Sequence, residues 1–352
     1  MGQADADHAR GVLHERPRQP LTARFAAQLL AGPRAASPAE VCERLLAVQA
    51  QDPRGFRLAI RARTTGLTVR DVDAALNRGE VVVSWLNRGT LHLVTRDDYW
   101  WLHGLTTPPL FTGNARRLAQ EGVPPDDAER GVAAVVRALR DGPATRAALR
   151  EAVAAAGVRT QGQALVHVLM LAALRGLVVR GPMAGAEHAY VLARDWLGAP
   201  PPVDRDAALA ELARRYLRGH GPADDRDLAK WAGLPLRDAR RGLAAAGDVA
   251  GTGEGVPPPA LLGAFDPVLL GWASRAWVTG TDDARVVAGG LFRPFALVGG
   301  RAVAAWSYRD GVVLDSFGDV TGLAELAELA ELDREVADVR RFLDATDPAR
   351  VP

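Results

Sequence analysis

The chain has 352 residues, is 48 % hydrophobic and 24 % charged, and carries a formal net charge of +1, enough sequence for two or three domains with cores of their own. It shows no apolar run of membrane-spanning length and no charged-then-apolar leader, so no membrane partner is expected and the cytoplasm is the expected compartment. A single cysteine, Cys42, excludes an internal disulfide and argues against a thiolate zinc site.

Residues 1–20 read as a polar lead-in. A helix is predicted from Thr22 to Leu30, stopped by Gly32-Pro33. The next start is explicit, with Ser37 as N-cap, Pro38 at the first helical position and Glu40 completing a capping box. Val41, Leu45, Leu46 and Val48 continue an apolar face, and Cys42 within it reads as buried and inert; Asp52-Pro53 should end the helix. Thr68 and Asp71 open a further helix through Leu76. Val81–Trp85 and Thr90–Val94 then read as strands joined by Asn87-Arg88-Gly89. Helices followed by a hairpin make a winged helix-turn-helix over 21–125, with the polar motif described below inside it.

The pattern recurs at a spacing of about 80 residues. Helices at Asp127–Arg140, Arg146–Ala156 and Gln161–Arg175 precede strands at Leu177–Arg180 and Ala189–Leu192 around Gly181-Pro182, a second winged helix over 126–203. A third winged helix is expected over 204–255, with helices at Asp225–Trp231 and Pro235–Ala246. From Gly251 glycine and proline cluster, and β-type alternation follows at Ala276–Thr279, Phe295–Val298, Ala302–Tyr308 and Val312–Phe317, with Gly299-Gly300 as a hairpin turn. Residues 256–352 therefore read as a β-rich, barrel-like domain closed by an amphipathic helix from Leu323 to Leu343. The fold class expected is α+β.

Charge is unevenly placed. Arg54, Arg57, Arg61, Arg63 and Arg70 come with no acid from Pro53 to Arg70, whereas Asp319–Asp338 holds Glu325, Glu328, Glu331, Asp333 and Glu335 against Arg334 alone. Lys230 is the only lysine, so arginine abundance by itself says little about phosphate binding. His167, His188 and His220 lack metal-ligand spacing, and the glycine clusters Gly253–Gly255 and Gly289-Gly290 match no nucleotide loop; no metal and no cofactor are expected.

The most telling stretch is Gln49-Ala50-Gln51-Asp52-Pro53. Two glutamine amides cannot titrate; they orient water and stabilise developing positive charge, but they are not strong bases. On a continuing helix side chains two apart diverge by about 200°, so a shared target requires the helix to stop there. Asp52 is the rival base, with a helix-boundary turn as its ordinary reading. Arg54, Arg57 and Arg61 recur at near-helical spacing beside the pair, either as a solvated face or as phosphate contacts. His92 in the hairpin reads as a satisfied strand histidine or as a contact to a bound ligand. Tyr99, Trp100 and Trp101 read as core rather than as a stacking platform.

The blocks Val48-Gln49-Ala50-Gln51, Arg88-Gly89-Thr90-Leu91-His92-Leu93-Val94, Leu261-Leu262-Gly263-Ala264-Phe265-Asp266-Pro267 and Phe292-Arg293-Pro294, in that order, resemble the AlkZ-like (YcaQ-like) family of DNA glycosylases from Leu21 onward. The chain carries the Gln-x-Gln form, which resembles the branch associated with self-resistance to DNA-alkylating natural products. The resemblance implies hydrolysis of the N-glycosidic bond of N7-alkylated purines, as crosslinks or bulky monoadducts, with Gln49 and Gln51 as the catalytic pair. Arg54, Arg57, Arg61, Arg88, Thr90, His92 and Arg293 are the candidates for DNA or lesion contact, and double-stranded DNA carrying alkylated guanine is the partner expected of a monomer with no evident protein partner. A winged-helix regulator and a non-hydrolytic adduct-binding protein are the alternatives. The apolar character of Gln161–Arg175 counts against the regulator, because a groove-reading helix needs base-contacting side chains.

Overall fold

The structure is a computed structural model that describes residues 21–251, 253–309, 311–318 and 326–344; the lead-in over 1–20 lies outside them. The chain opens with α1 (Ala23–Ala27) and α2 (Pro38–Leu45). Ser37 caps α2 through Glu40 N–H at 3.2 Å, while the Glu40 carboxylate reaches the Ala36 N–H at 2.8 Å. The predicted helix stops earlier than expected. Leu46 adopts φ +65 and the chain straightens into β1 (Val48–Gln49). Local helical periodicity is overridden here by pairing with β3 (Leu91–Thr95), Val48 opposite Leu93 and Gln49 opposite His92.

Between them lie α3 (Pro53–Arg61), α4 (Val69–Asn77), boxed at its start by Thr68 and Asp71, and β2 (Val81–Trp85). Two helices that the sequence pattern did not resolve follow β3, namely α5 (Arg96–Thr106) and α6 (Leu110–Gln120). Tyr99 and Trp100 on α5 are buried in the core. The second unit comprises α7 (Pro125–Ala138), α8 (Arg146–Ala155), α9 (Ala164–Leu174), β4 (Val178–Ala184) and β5 (Glu187–Leu192). Its strand runs through Gly181-Pro182 with a bulge instead of turning there. The two hairpins do not stand as separate wings: β2 pairs with β4 at Val83 and Arg180, giving one antiparallel sheet ordered β1-β3-β2-β4-β5.

After α10 (Ala193–Leu197), the third unit has α11 (Arg205–His220), α12 (Asp225–Ala232) and α13 (Leu236–Ala245). Among the described residues no strand follows before β6 (Ala260–Leu262), so this unit lacks the expected hairpin. The C-terminal region continues with α14 (Pro267–Leu270), α15 (Ala276–Thr279), α16 (Asp283–Val286), the ribbon β7 (Val287–Ala288) and β8 (Leu291–Phe292), then β9 (Phe295–Val298), β10 (Arg301–Tyr308), β11 (Val312–Ser316) and α17 (Leu326–Asp344). Ala276–Thr279 is thus one helical turn and not a strand; four residues carry too little pattern to separate the two. The sheet is open, ordered β11-β10-β9-β6, rather than a closed barrel.

The C-terminal region is locked against the segment that carries the glutamines. A Cβ on Gly55 would lie 2.3 Å from the Ala264 carbonyl oxygen, and one on Gly263 would lie 2.8 Å from the Gly55 carbonyl oxygen. Only glycine at both positions allows that backbone approach. Beside it, Arg63 and Asp266, both fully buried, form a bidentate pair at 2.9 and 2.8 Å. Arg63 also donates to Gln28 Oε1 at 3.1 Å, Gln28 donates to Gly219 O at 2.8 Å, and Asp266 caps Val268 N–H at 3.0 Å. Four helices (α1, α3, α11 and α14) therefore meet at one buried charge pair.

Candidate active site

The glutamines lie on extended backbone. Ala50 N–H donates to Leu91 O at 2.7 Å, which continues β1 by one residue, and strand alternation turns Gln49 and Gln51 to the same face. The residue between them, Ala50, points into the core. Gln49 is 7 % exposed and Gln51 is open to solvent. Each amide oxygen has one protein partner. Gln51 Oε1 accepts from Leu91 N–H at 3.0 Å and Gln49 Oε1 accepts from Arg88 Nη2 at 3.1 Å. A carbonyl oxygen has two lone pairs, so each keeps one for a water or a developing cation.

Asp52, the rival base, is engaged at a helix start. It is the N-cap of α3, its carboxylate receiving Gly55 N–H, with Pro53 at the first helical position. The arginines that follow are mostly committed elsewhere. Arg57 is buried and donates to Asp73 at 2.9 Å; Arg61 is buried and holds Asp338 at 2.8 Å, Glu335 and Leu261 O at 2.9 Å. Among the described residues, Arg61 alone of that stretch pairs with acids of the closing helix, and Arg57 and Arg61 are interior ties rather than a phosphate-facing stripe. Arg54 and Arg293 are exposed. Thr90 is occupied in the turn, where its hydroxyl donates to Asn87 O at 3.2 Å.

His92 is buried, opposite both Gln49 and Ser84 across the sheet, with Nδ1 3.0 Å from Thr90 O. Burial, aided by the Arg88 charge, pushes its pKa down to about 3, so the ring is neutral and no imidazolium faces the glutamines. His188 and His220 are likewise held down to about 3, chiefly by burial. In each case the folded value lies below the ordinary 6.5, so between the two the unfolded chain binds the proton. Stability is therefore full above pH 6.5 and falls as pH drops toward 3. Urea midpoints should decline from pH 7 to pH 5, above the range where ordinary carboxylates titrate. A flat profile over that interval would show that these rings are not buried neutral. Cys42 is buried, and burial pushes its thiol up, away from reactivity.

One neighbour had no sequence signal. Asn87, immediately before Arg88, is fully buried with neither its side-chain oxygen nor its nitrogen partnered. In a turn read as Asn-Arg-Gly, a surface asparagine is the ordinary expectation. Of the four described non-glycine residues with positive φ, Leu46 precedes β1, Arg88 is bonded to Gln49, Phe265 lies beside the Gly55–Gly263 contact and Leu29 lies apart from the motif in sequence, at φ +65, +58, +59 and +58. Such backbone is costly for side-chain-bearing residues and concentrates where function fixes geometry.

Residues 42–342 match the sequence family of AlkZ-like DNA glycosylases. The chain belongs to that family. DNA is accordingly its substrate class. The AlkZ-like fold is also similar to that of Streptomyces sahachiroi DNA glycosylase AlkZ, with a TM-score of 0.74 at 24 % identity over 94 % of this chain and 97 % of that one. No curated protein sequence matches the chain. Among the described residues, no helix of this AlkZ-like protein is long and apolar enough to cross a membrane, and no group of three or more His, Cys, Asp or Glu side chains is disposed to hold a metal.

Proposed function

We propose that the chain hydrolyses the N-glycosidic bond of bulky or crosslinked N7-alkylguanine in duplex DNA, as a monofunctional, monomeric enzyme of the cytoplasm that protects its host from a DNA-alkylating natural product. The observation that carries this reading is the extended Gln49-Ala50-Gln51 segment, which turns two amides to one face while Asp52 is spent on a helix cap. Glycosidic cleavage passes through an oxocarbenium-like state that enzymes ordinarily manage with paired carboxylates. An N7-alkylguanine is already cationic, so its departure needs no general acid. Placing a water and stabilising the sugar cation remain, and amide oxygens can do both. The exposure of Gln51 supports a site that meets a bulky adduct at the surface. Arg54 and Arg293 are the candidates for backbone contact.

The regulator reading loses support from the second unit, where nearly all of α9 is buried and no face is left to enter a groove. The test is incubation with duplexes carrying a methyl adduct, a bulky adduct or a crosslink at guanine N7. Abasic sites above the spontaneous rate, with strand scission appearing only after alkali, are expected. Lys230 Nζ donates to Ala273 O at 2.8 Å, so no borohydride-trapped Schiff base through it is expected. Tight lesion binding without abasic product would leave an adduct-binding protein instead.

A further inference from the structure

Arg88, a candidate for DNA or lesion contact, is tied by its surroundings to the protein itself. It sits at φ +58, ψ 9 in the turn between β2 and β3, a conformation that ordinarily selects glycine or asparagine. That backbone aims the guanidinium inward. Nη1 donates to Lys230 O at 3.3 Å and to Trp231 O, at the C-terminal end of α12 where helix carbonyls favour a cation. Room for this is made by Gly233, the left-handed cap of α12, because a Cβ there would lie 2.9 Å from Arg88 N. Among the described residues no carboxylate pairs with Arg88, and burial lowers its pKa from the ordinary value. The remaining arm, Nη2, donates to Gln49 Oε1 at 3.1 Å.

We propose that Arg88 is a positioning residue for Gln49, a role that rests on reading Gln49 as a reacting amide. The two ends of a glutamine amide are nearly the same size, and rotation about the last side-chain bond exchanges them at little cost. Arginine only donates. Anchored on α12, it admits the oxygen end alone, which fixes the direction of the second Oε1 lone pair and of the Nε2 hydrogens. Without that anchor the amide would populate both orientations, and only one presents oxygen to the water or the sugar. Misplacement of a positioning group by about 1 Å can cost on the order of 10²-fold in rate.

A double-mutant cycle tests this. Arg88→Gln and Arg88→Lys are made in the parent and in Gln49→Ala, and single-turnover excision and duplex affinity are measured for each. Arg88→Gln should slow excision by roughly 10²-fold in the parent, leave duplex affinity unchanged, and add nothing in the Gln49→Ala background. Arg88→Lys, whose single ammonium cannot span α12 and Gln49 together, should recover only part of the rate. Should Arg88→Gln fail to fold, the lysine variant carries the same comparison. Equal losses in both backgrounds, or a loss explained by weaker duplex binding, overturn the positioning role alone. A Gln49→Ala protein as fast as the parent removes the reading of the site, and this role with it.

Discussion

Gln49→Ala should excise an N7-alkylguanine adduct about 10²- to 10³-fold more slowly than the parent, with folding and duplex affinity unchanged. A single well-placed polar group facing a developing charge is worth about 3–4 kcal/mol, and Gln49 is the less exposed of the two amides, where water competes least. The substitution leaves the strand intact, since Gln49 pairs with His92 through the main chain. Gln51→Ala should cost less, because its exposed amide is more easily replaced by water, although its bond to Leu91 N–H is lost as well. Because neither amide titrates and His92 is neutral, the single-turnover rate should be level from pH 6 to pH 8. Rate constants from alkali-revealed abasic sites decide the matter: a Gln49→Ala enzyme within twofold of the parent would falsify the assignment.

Arg63→Met should lower the free energy of unfolding by about 3–5 kcal/mol, the cost of stranding a buried charge without its partner. Asp266 is fully buried, and its two carboxylate oxygens are held by the two Arg63 nitrogens. Removing the guanidinium leaves only the Val268 N–H on that carboxylate. Replacing both residues by apolar ones should restore most of the loss, because the pair repays little more than its own desolvation. The remaining deficit should be about 1 kcal/mol, for the cap on α14. Denaturant titration of the single and double variants distinguishes this from simple cavity formation, in which the double variant would be the less stable.

What the sequence made legible, and what it did not, follows from the range of the interactions. Ser37 with Glu40 and Thr68 with Asp71 mark helix starts through contacts three or four residues apart, and both starts were readable. The turn at Asn87-Arg88-Gly89 was equally local. The end of α2 was not, because Val41, Leu45, Leu46 and Val48 keep a helical period through a segment that the sheet claims for β1. The glutamines stood out by their chemistry, and a common face for them required that the helix stop; the strand that provides that face was not foreseen. Arg57 and Arg61 were misjudged, and the partner of Arg63 went unread, for the same reason. Their partners Asp73, Glu335, Asp338 and Asp266 lie 16 to 277 positions away, and nothing in a local window says which acid an arginine will meet.

The sheet shared by the first two units has a consequence for how the chain can be divided. A repeated supersecondary unit invites dissection, yet β2 is buried along its whole length between β3 and β4. A fragment ending before β4 would bare a run of valines and unpaired amides, a template for self-association. The duplication is therefore visible in the sequence but no longer separable in the molecule. Neither hairpin can swing or be exchanged between relatives without its twin.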